Sequence, residues 1–170
     1  RDQPFTLSLW VNPQKNAQGK DSKGSLIARL EDETTFRGYD LYFDANERFY
    51  FQLAHKAKSN AIRIRTDLGI KWDSWQHVCV TYDGSSSAGG VQIFVDGNPW
   101  KLNREQDNLT KSIRTEKPLR IGSRPGGFRP SGILDEIRIF PRVLKPEEVW
   151  ALILRDNVVS VLASPKIDKT

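Results

Sequence analysis

The residues to test first for chemistry are the acid pairs Asp135-Glu136 and Glu147-Glu148, the histidines His55 and His77, and the single Cys79. Glycoside hydrolysis with retention needs two carboxyl groups roughly 5 Å apart, commonly presented from alternate positions of one strand. Asp135 and Glu136 are adjacent, and adjacent strand residues point to opposite faces. Glu147 and Glu148 follow Pro146 and read as the acidic first turn of a helix, where the helix dipole favours them. No acid-x-acid triplet falls on any strand read below, so hydrolysis lacks its acid pair. Two histidines and one cysteine without close spacing make no recognisable zinc site. His77 leads into the apolar run Val78–Val80 and reads as a packing residue. His55 opens the segment HKAKSN, where a surface role and a binding role both stay open. Cys79, between Val78 and Val80, suits a small packed side chain better than a reactive thiol, and a lone cysteine excludes any intrachain disulfide.

Asp135 stands apart from the other acids. It shares strand parity with Ile137 and Ile139 and is expected to point inward, where a carboxylate must find backbone amides, an arginine or a cation. Asp83-Gly84 and Asp96-Gly97 are turn formers, and Asp21, Asp32 and Asp44 are loop acids without telling spacing. Gly122–Gly132 contains SRPGGFRP but precedes no helix, so the geometry that cradles a phosphate is missing. Asn108-Leu109-Thr110 is a formal glycosylation acceptor, a signal that would mean nothing if the chain were bacterial.

These residues are held by strands. Apolar and polar side chains alternate in run after run, the period of half-buried β-structure. Phe5, Leu7, Leu9 and Val11 share one face; Leu26–Leu30 follows a polar loop; Gly38–Ala54 reads as a hairpin turning at Asp44–Asn46. Ile62 and Ile64 alternate with Arg63 and Arg65. Val78, Val80 and Tyr82 answer Val91, Ile93 and Val95, and Leu119–Ile121 and Ile133–Phe140 complete about ten strands. One helix is expected from Pro146 to about Leu154 or further along, with Leu144 stapled to Val149. The expected fold is an all-β, two-sheet antiparallel jelly-roll sandwich with one short C-terminal helix.

The 170 residues suit one domain over residues 1–154, with residues 155–170 a tail or linker. The chain starts at Arg1 and has no Met, which reads as a piece of a longer protein. No apolar run approaches the roughly 20 residues of a membrane span. The net charge of +5 is spread over Arg63, Arg65, Arg104, Arg114, Arg120, Arg124, Arg129, Arg138 and Arg142. Such dispersion argues against nucleic acid, which wants a dense basic stripe, and leaves a solvated sheet surface with outward arginines or a face for anionic polymers such as acidic glycans.

Three segments together resemble the laminin G-like branch of the concanavalin A-like lectin/glucanase superfamily: FTLSLWVNP (Phe5–Pro13), WQHVCVTYDG with VQIFVDGNP (Trp75–Pro99), and GILDEIRIFPRVLKPEEV (Gly132–Val149). With RGYDLYFD (Arg37–Asp44) and AIRIRT (Ala61–Thr66), the arrangement is further similar to the laminin G-like insert of large planctomycete proteins that carry cytochrome-type haem segments. The resemblance implies the sandwich fold, a place outside the cytoplasm (periplasm or cell surface), and a non-catalytic module that binds a glycan or a protein partner. It makes His77 part of a structural signature. It also raises a structural calcium, which would put Asp135 among its oxygen ligands. An alternative is an insert that docks or spaces other domains of its parent chain, marked by an outer apolar patch. Loops at one end of a sandwich carry function, and Phe36, Arg37, Tyr39, His55, Arg124 and Phe128 are the expected ligand rim.

Overall fold

The computed structural model describes residues 3–15, 22–44 and 46–163. Among them, strands β1 (Phe5–Pro13), β2 (Gly24–Leu30), β3 (Gly38–Phe43), β4 (Phe49–Lys56) and β5 (Asn60–Thr66) come first. They are followed by β6 (Gln76–Tyr82), β7 (Val91–Val95), β8 (Asn98–Pro99), β9 (Leu102–Asp107), β10 (Arg120–Ile121) and β11 (Gly132–Phe140), and helix α1 spans Pro146–Ala163. A five-stranded sheet of order β11-β1-β6-β7-β8 faces a six-stranded sheet of order β10-β2-β3-β4-β5-β9, and all pairings are antiparallel. This is the expected jelly-roll sandwich.

Alternation builds the core. Leu7, Leu9 and Val11 of β1 and Val78, Val80 and Tyr82 of β6 meet Leu41, Phe43, Phe49, Phe51, Leu53, Ile62 and Ile64 from the facing sheet. The hairpin runs in unbroken register from Gly38↔Ala54 to Phe43↔Phe49. Gly38 is required at its start: φ is +131°, and a Cβ there would stand 1.8 Å from the Arg29 carbonyl oxygen. β9, sequence LNREQD, lies outside the expected set. Five of its six residues are polar, so it lacks the alternation that marks a half-buried strand, and cross-strand pairing with β5 defines it instead.

Asp135 does not point inward. Between Ser8↔Arg138 and Trp10↔Asp135, β1 advances two residues and β11 three, so β11 bulges there. Glu136 takes φ +50° at the bulge. Leu134 and Ile137 can then both pack on the core while three residues apart, and Asp135 is left exposed with its Oδ1 accepting from the Glu136 N–H at 2.8 Å. Parity counting fails at a bulge because one residue adds nothing to the ladder.

The helix begins as expected. Lys145 N–H donates to Glu148 Oε2 at 2.9 Å, and Leu144 and Val149 are both buried in one cluster. Arg142 grips the Glu148 carboxylate at 2.8 and 2.7 Å and, with the Lys145 amide, holds its pKa down to about 2. The helix then continues past Leu154 to Ala163, so the expected boundary at residue 154 falls inside it. Residues 164–170 of the expected tail lie outside the described residues. Leu144 and Val149 cover Cys79 and Phe94 on the outer face of the five-stranded sheet, which is why Phe94 is buried although it is off the core parity. Burial pushes the Cys79 thiol up to about 12, as befits an inert packed side chain.

Candidate functional site

The outer face of the six-stranded sheet follows directly from the strand period. Leu41 and Phe43 point to the core, so Asp40 and Tyr42 point away from it. Cross-strand register then lays out two rows: Asp40, Gln52, Arg63 and Gln106, and beside them Tyr42, Tyr50, Arg65 and Asn103. Tyr42 and Tyr50 stack at 5.0 Å with rings 13° apart. Arg63 and Arg65 share Glu105, with Nε–O distances of 2.9 and 3.2 Å.

The loop between β10 and β11 folds over one end of this face. Its Phe128 carbonyl accepts from Ser25 N–H at 3.2 Å, and its Arg124 reaches Asp40. Arg124 Nη1 donates to Asp40 Oδ2 at 2.7 Å, while Ser25 Oγ donates to Oδ1 at 2.5 Å. Around the guanidinium carbon lie Phe128 at 4.0 Å, Phe36 at 5.2 Å and Tyr42 at 5.4 Å. Burial raises the Asp40 carboxyl above its ordinary range, opposed by Ser25 and Arg124. Burial, helped by the Asp40 charge, likewise lifts the Tyr42 hydroxyl far above the phenolic range, so it stays a neutral donor.

The expected rim is therefore brought together only in part. Phe36, Arg124 and Phe128 converge on the outer face. Tyr39 lies on the other face of β3, its ring 5.2 Å from that of Phe5. There it lines a cleft of about 580 Å³ with Arg29, Ile113, Arg114 and Ile139. Arg37 pairs with Glu31 at 3.2 Å within its own loop, and His55 Nδ1 sits 2.8 Å from the Ser112 carbonyl oxygen. The residues missed from the sequence are Asp40, Ser25, Gln52 and Glu105. Asp40 carried a signal, since a carboxylate alternating with Leu41 and Phe43 inside a hairpin must lie on the opposite face.

His77 and Ser8 have a spacing that could pass for base and nucleophile, with Nε2 and Oγ 2.9 Å apart. Both side chains are fully buried on the helix-covered face of the five-stranded sheet, and the ring packs edge-on against Trp10 at 5.4 Å. Desolvation lowers the His77 pKa to about 4, so the ring is neutral. Among the described residues no three His, Cys, Asp or Glu side chains gather as a metal-holding group. The bulge leaves Asp135 on its neighbour's amide rather than in such a group. Six of the dispersed arginines (Arg63, Arg65, Arg104, Arg124, Arg138 and Arg142) are paired with acids, which breaks up the positive charge. No helix of the described residues is long and apolar enough to cross a membrane.

The chain is 25% identical, across 87% of its length, to zebrafish (Danio rerio) adhesion G-protein coupled receptor V1, of which it spans only 2%. Among solved structures, it superposes on a carbohydrate-binding module, CBM40, of the Ruminococcus gnavus IT-sialidase bound to α2,3-sialyllactose. That match has a TM-score of 0.66 and 15% identity and covers 88% of this chain and 82% of that one. The binding domain of Paraclostridial Mosquitocidal Protein 1 matches with a TM-score of 0.63 and 16% identity, over 88% of this chain and 36% of that one. At such identities the likeness is one of fold. The laminin G model of the third type matches residues 1–150, and the chain belongs to the concanavalin A-like lectin/glucanases superfamily.

Proposed function

We propose that the chain is a non-catalytic binding module for an acidic glycan, working outside the cytoplasm as part of a larger protein. The observation that carries this reading is the outer face of the six-stranded sheet. There Arg63 and Arg65, bridged through their Nε groups by Glu105, stand half-exposed beside Gln106, Asn103 and the Tyr42–Tyr50 pair. Guanidinium forks match the planar geometry of carboxylate and sulfate groups, and amide side chains match sugar hydroxyls. The fold shared with a module bound to sialyllactose supports the class of ligand. The face acts by complementarity alone: Glu136 is held by Arg138, and the Ser8–His77 pair is buried.

A glycan array carrying sialylated, sulfated and uronic acid-rich chains, read in calcium and again in chelator, tests this. Retention of acidic glycans is expected, with loss in the double variant Arg63→Ala/Arg65→Ala at unchanged fold. An unresponsive array, or binding indifferent to that variant, defeats the reading. A chelator-sensitive signal would make calcium a ligand of this chain. Docking of another protein segment is favoured by a different surface, the cleft beside the end of β11.

A further inference from the structure

The cleft of about 580 Å³ lies where β1 and β3 begin and β2 and β11 end, and its size is that of a ligand site. Phe5, Tyr39, Ile113 and Ile139 make an apolar lining, and the exposed Arg29, Arg114 and Glu116 bound it. Ile139 pairs with the core residue Leu7, so its side chain faces the space between the sheets, yet it is 45% exposed. Ile121, opposite the core residue Ile27, is 51% exposed. These two isoleucines belong to the terminal strands of the two sheets, and both edges lie on one side of the sandwich, since a Cβ on Gly122 would stand 3.8 Å from Leu134. Among the described residues, no further strand pairs with β10 or β11 beyond these edges.

We propose that this edge binds an extended segment of a partner protein, which adds as a strand to Ile137–Phe140. The added strand sets an apolar side chain into the cleft and an acidic one between Arg29 and Arg114. β11 is a terminal strand, and among the described residues its ladder runs to β1. A terminal strand presents backbone groups at strand spacing, which an extended chain satisfies and a sugar does not. The bulge and the charges of Asp135 and Glu136 confine pairing to Ile137–Phe140, the stretch beside the cleft. Residues opposite one another on paired strands project to the same face, so the partner residue facing Ile139 enters the cleft. Two arginines against one glutamate select an acidic residue two positions along, on the same face of the added strand. This site is on a different face from the glycan surface and does not depend on it.

The test is selection of a displayed library of random octapeptides on the intact chain, then titration of the ¹⁵N-labelled chain with the selected peptide. Enrichment of an acidic residue two positions from an apolar one, on the same face of the strand, is expected, with shifts centred on Ile137–Phe140, Tyr39 and Arg114. N-methylation of alternate peptide amides should weaken binding about tenfold, as loss of ladder hydrogen bonds requires. Arg29→Glu/Arg114→Glu should reverse the preference from acidic to basic peptides, an outcome that misfolding cannot imitate. No enrichment, full binding of the methylated peptide, shifts elsewhere, self-association through Ile139, or competition by sialyllactose would each overturn the proposal.

Discussion

Arg124 Nη1 lies 2.7 Å from Asp40 Oδ2, and the same guanidinium faces the Phe128 ring with its carbon 4.0 Å from the centroid. One side chain thus neutralises a carboxylate that is 1% exposed and also clamps the loop bearing Phe128 onto the sheet. The Arg124 side chain is itself only 21% exposed. The pair is a positioning device for the outer face rather than a free cation awaiting a ligand.

Removing only the arginine should be costly, because it strands the Asp40 charge. Arg124→Ala is expected to lower stability by about 3 kcal/mol, the scale for breaking a buried pair from one side. Replacing both partners, as in Asp40→Asn/Arg124→Met, should recover most of that loss. Urea unfolding midpoints of the two variants check it; equal losses would mean that the charge is not the reason.

His77 makes acid the solvent condition to watch. Its folded-state pKa of about 4 lies below the ordinary 6.5 because the ring is desolvated. Between these values the unfolded chain takes up a proton that the folded chain refuses, so stability falls as pH falls through that window. The full effect, reached below about pH 4, is about 3 kcal/mol. Carboxylates titrate near the lower end, so the quantity to measure is the difference between the chain and His77→Gln across pH 7 to 4. Parallel curves would show that His77 does not carry the slope.

The helix is fastened at Asp156. Arg138 donates to its two oxygens at 2.7 and 3.0 Å and Trp10 Nε1 donates at 2.8 Å. Burial alone would raise this carboxyl, yet these donors hold it below its ordinary value. Asp156→Ala should cost about 2 kcal/mol by taking the acceptor from Trp10 Nε1 and leaving Arg138 with Glu136 alone. Hydrogen exchange should quicken at the Val149–Ile153 amides while β3 and β4 stay protected. Uniform acceleration would instead indicate global weakening.

The sandwich was legible because Leu7, Leu9, Val11, Leu41, Phe43, Val78 and Val80 keep a period of two without interruption, and the turns Asp83-Gly84 and Asp96-Gly97 mark strand ends. Legibility failed where a local rule broke the count. The bulge at Asp135-Glu136 reversed the side on which Asp135 falls, and the polar strand β9 had no apolar face to betray it. The rim was half read for the same reason. Phe36, Arg124 and Phe128 meet because their loops close over one end of the outer face. Tyr39, with Leu41 and Phe43 on its parity, was bound to the opposite side of β3. Asp156 lay beyond the expected domain boundary at residue 154, since a helix continuing over polar residues leaves no sign of where its contacts stop.

Gly97 and Trp150 offer a last test, of how the helix is seated. Gly97 has φ +78°, and a Cβ there would stand 2.6 Å from the Trp150 indole, which lies across the turn between β7 and β8. Gly97→Ala therefore meets two costs: about 1 kcal/mol for left-handed backbone, and the displacement of the indole. Trp150→Ala removes the obstacle at the cost of the contact itself. If the indole is the obstacle, the double variant should be more stable than the sum of the single losses by roughly 1 kcal/mol, within the range for residues in contact. Four urea unfolding curves settle the cycle. Strict additivity would mean that the glycine serves only the turn, and that the helix is held by Leu144, Val149 and Asp156 without it.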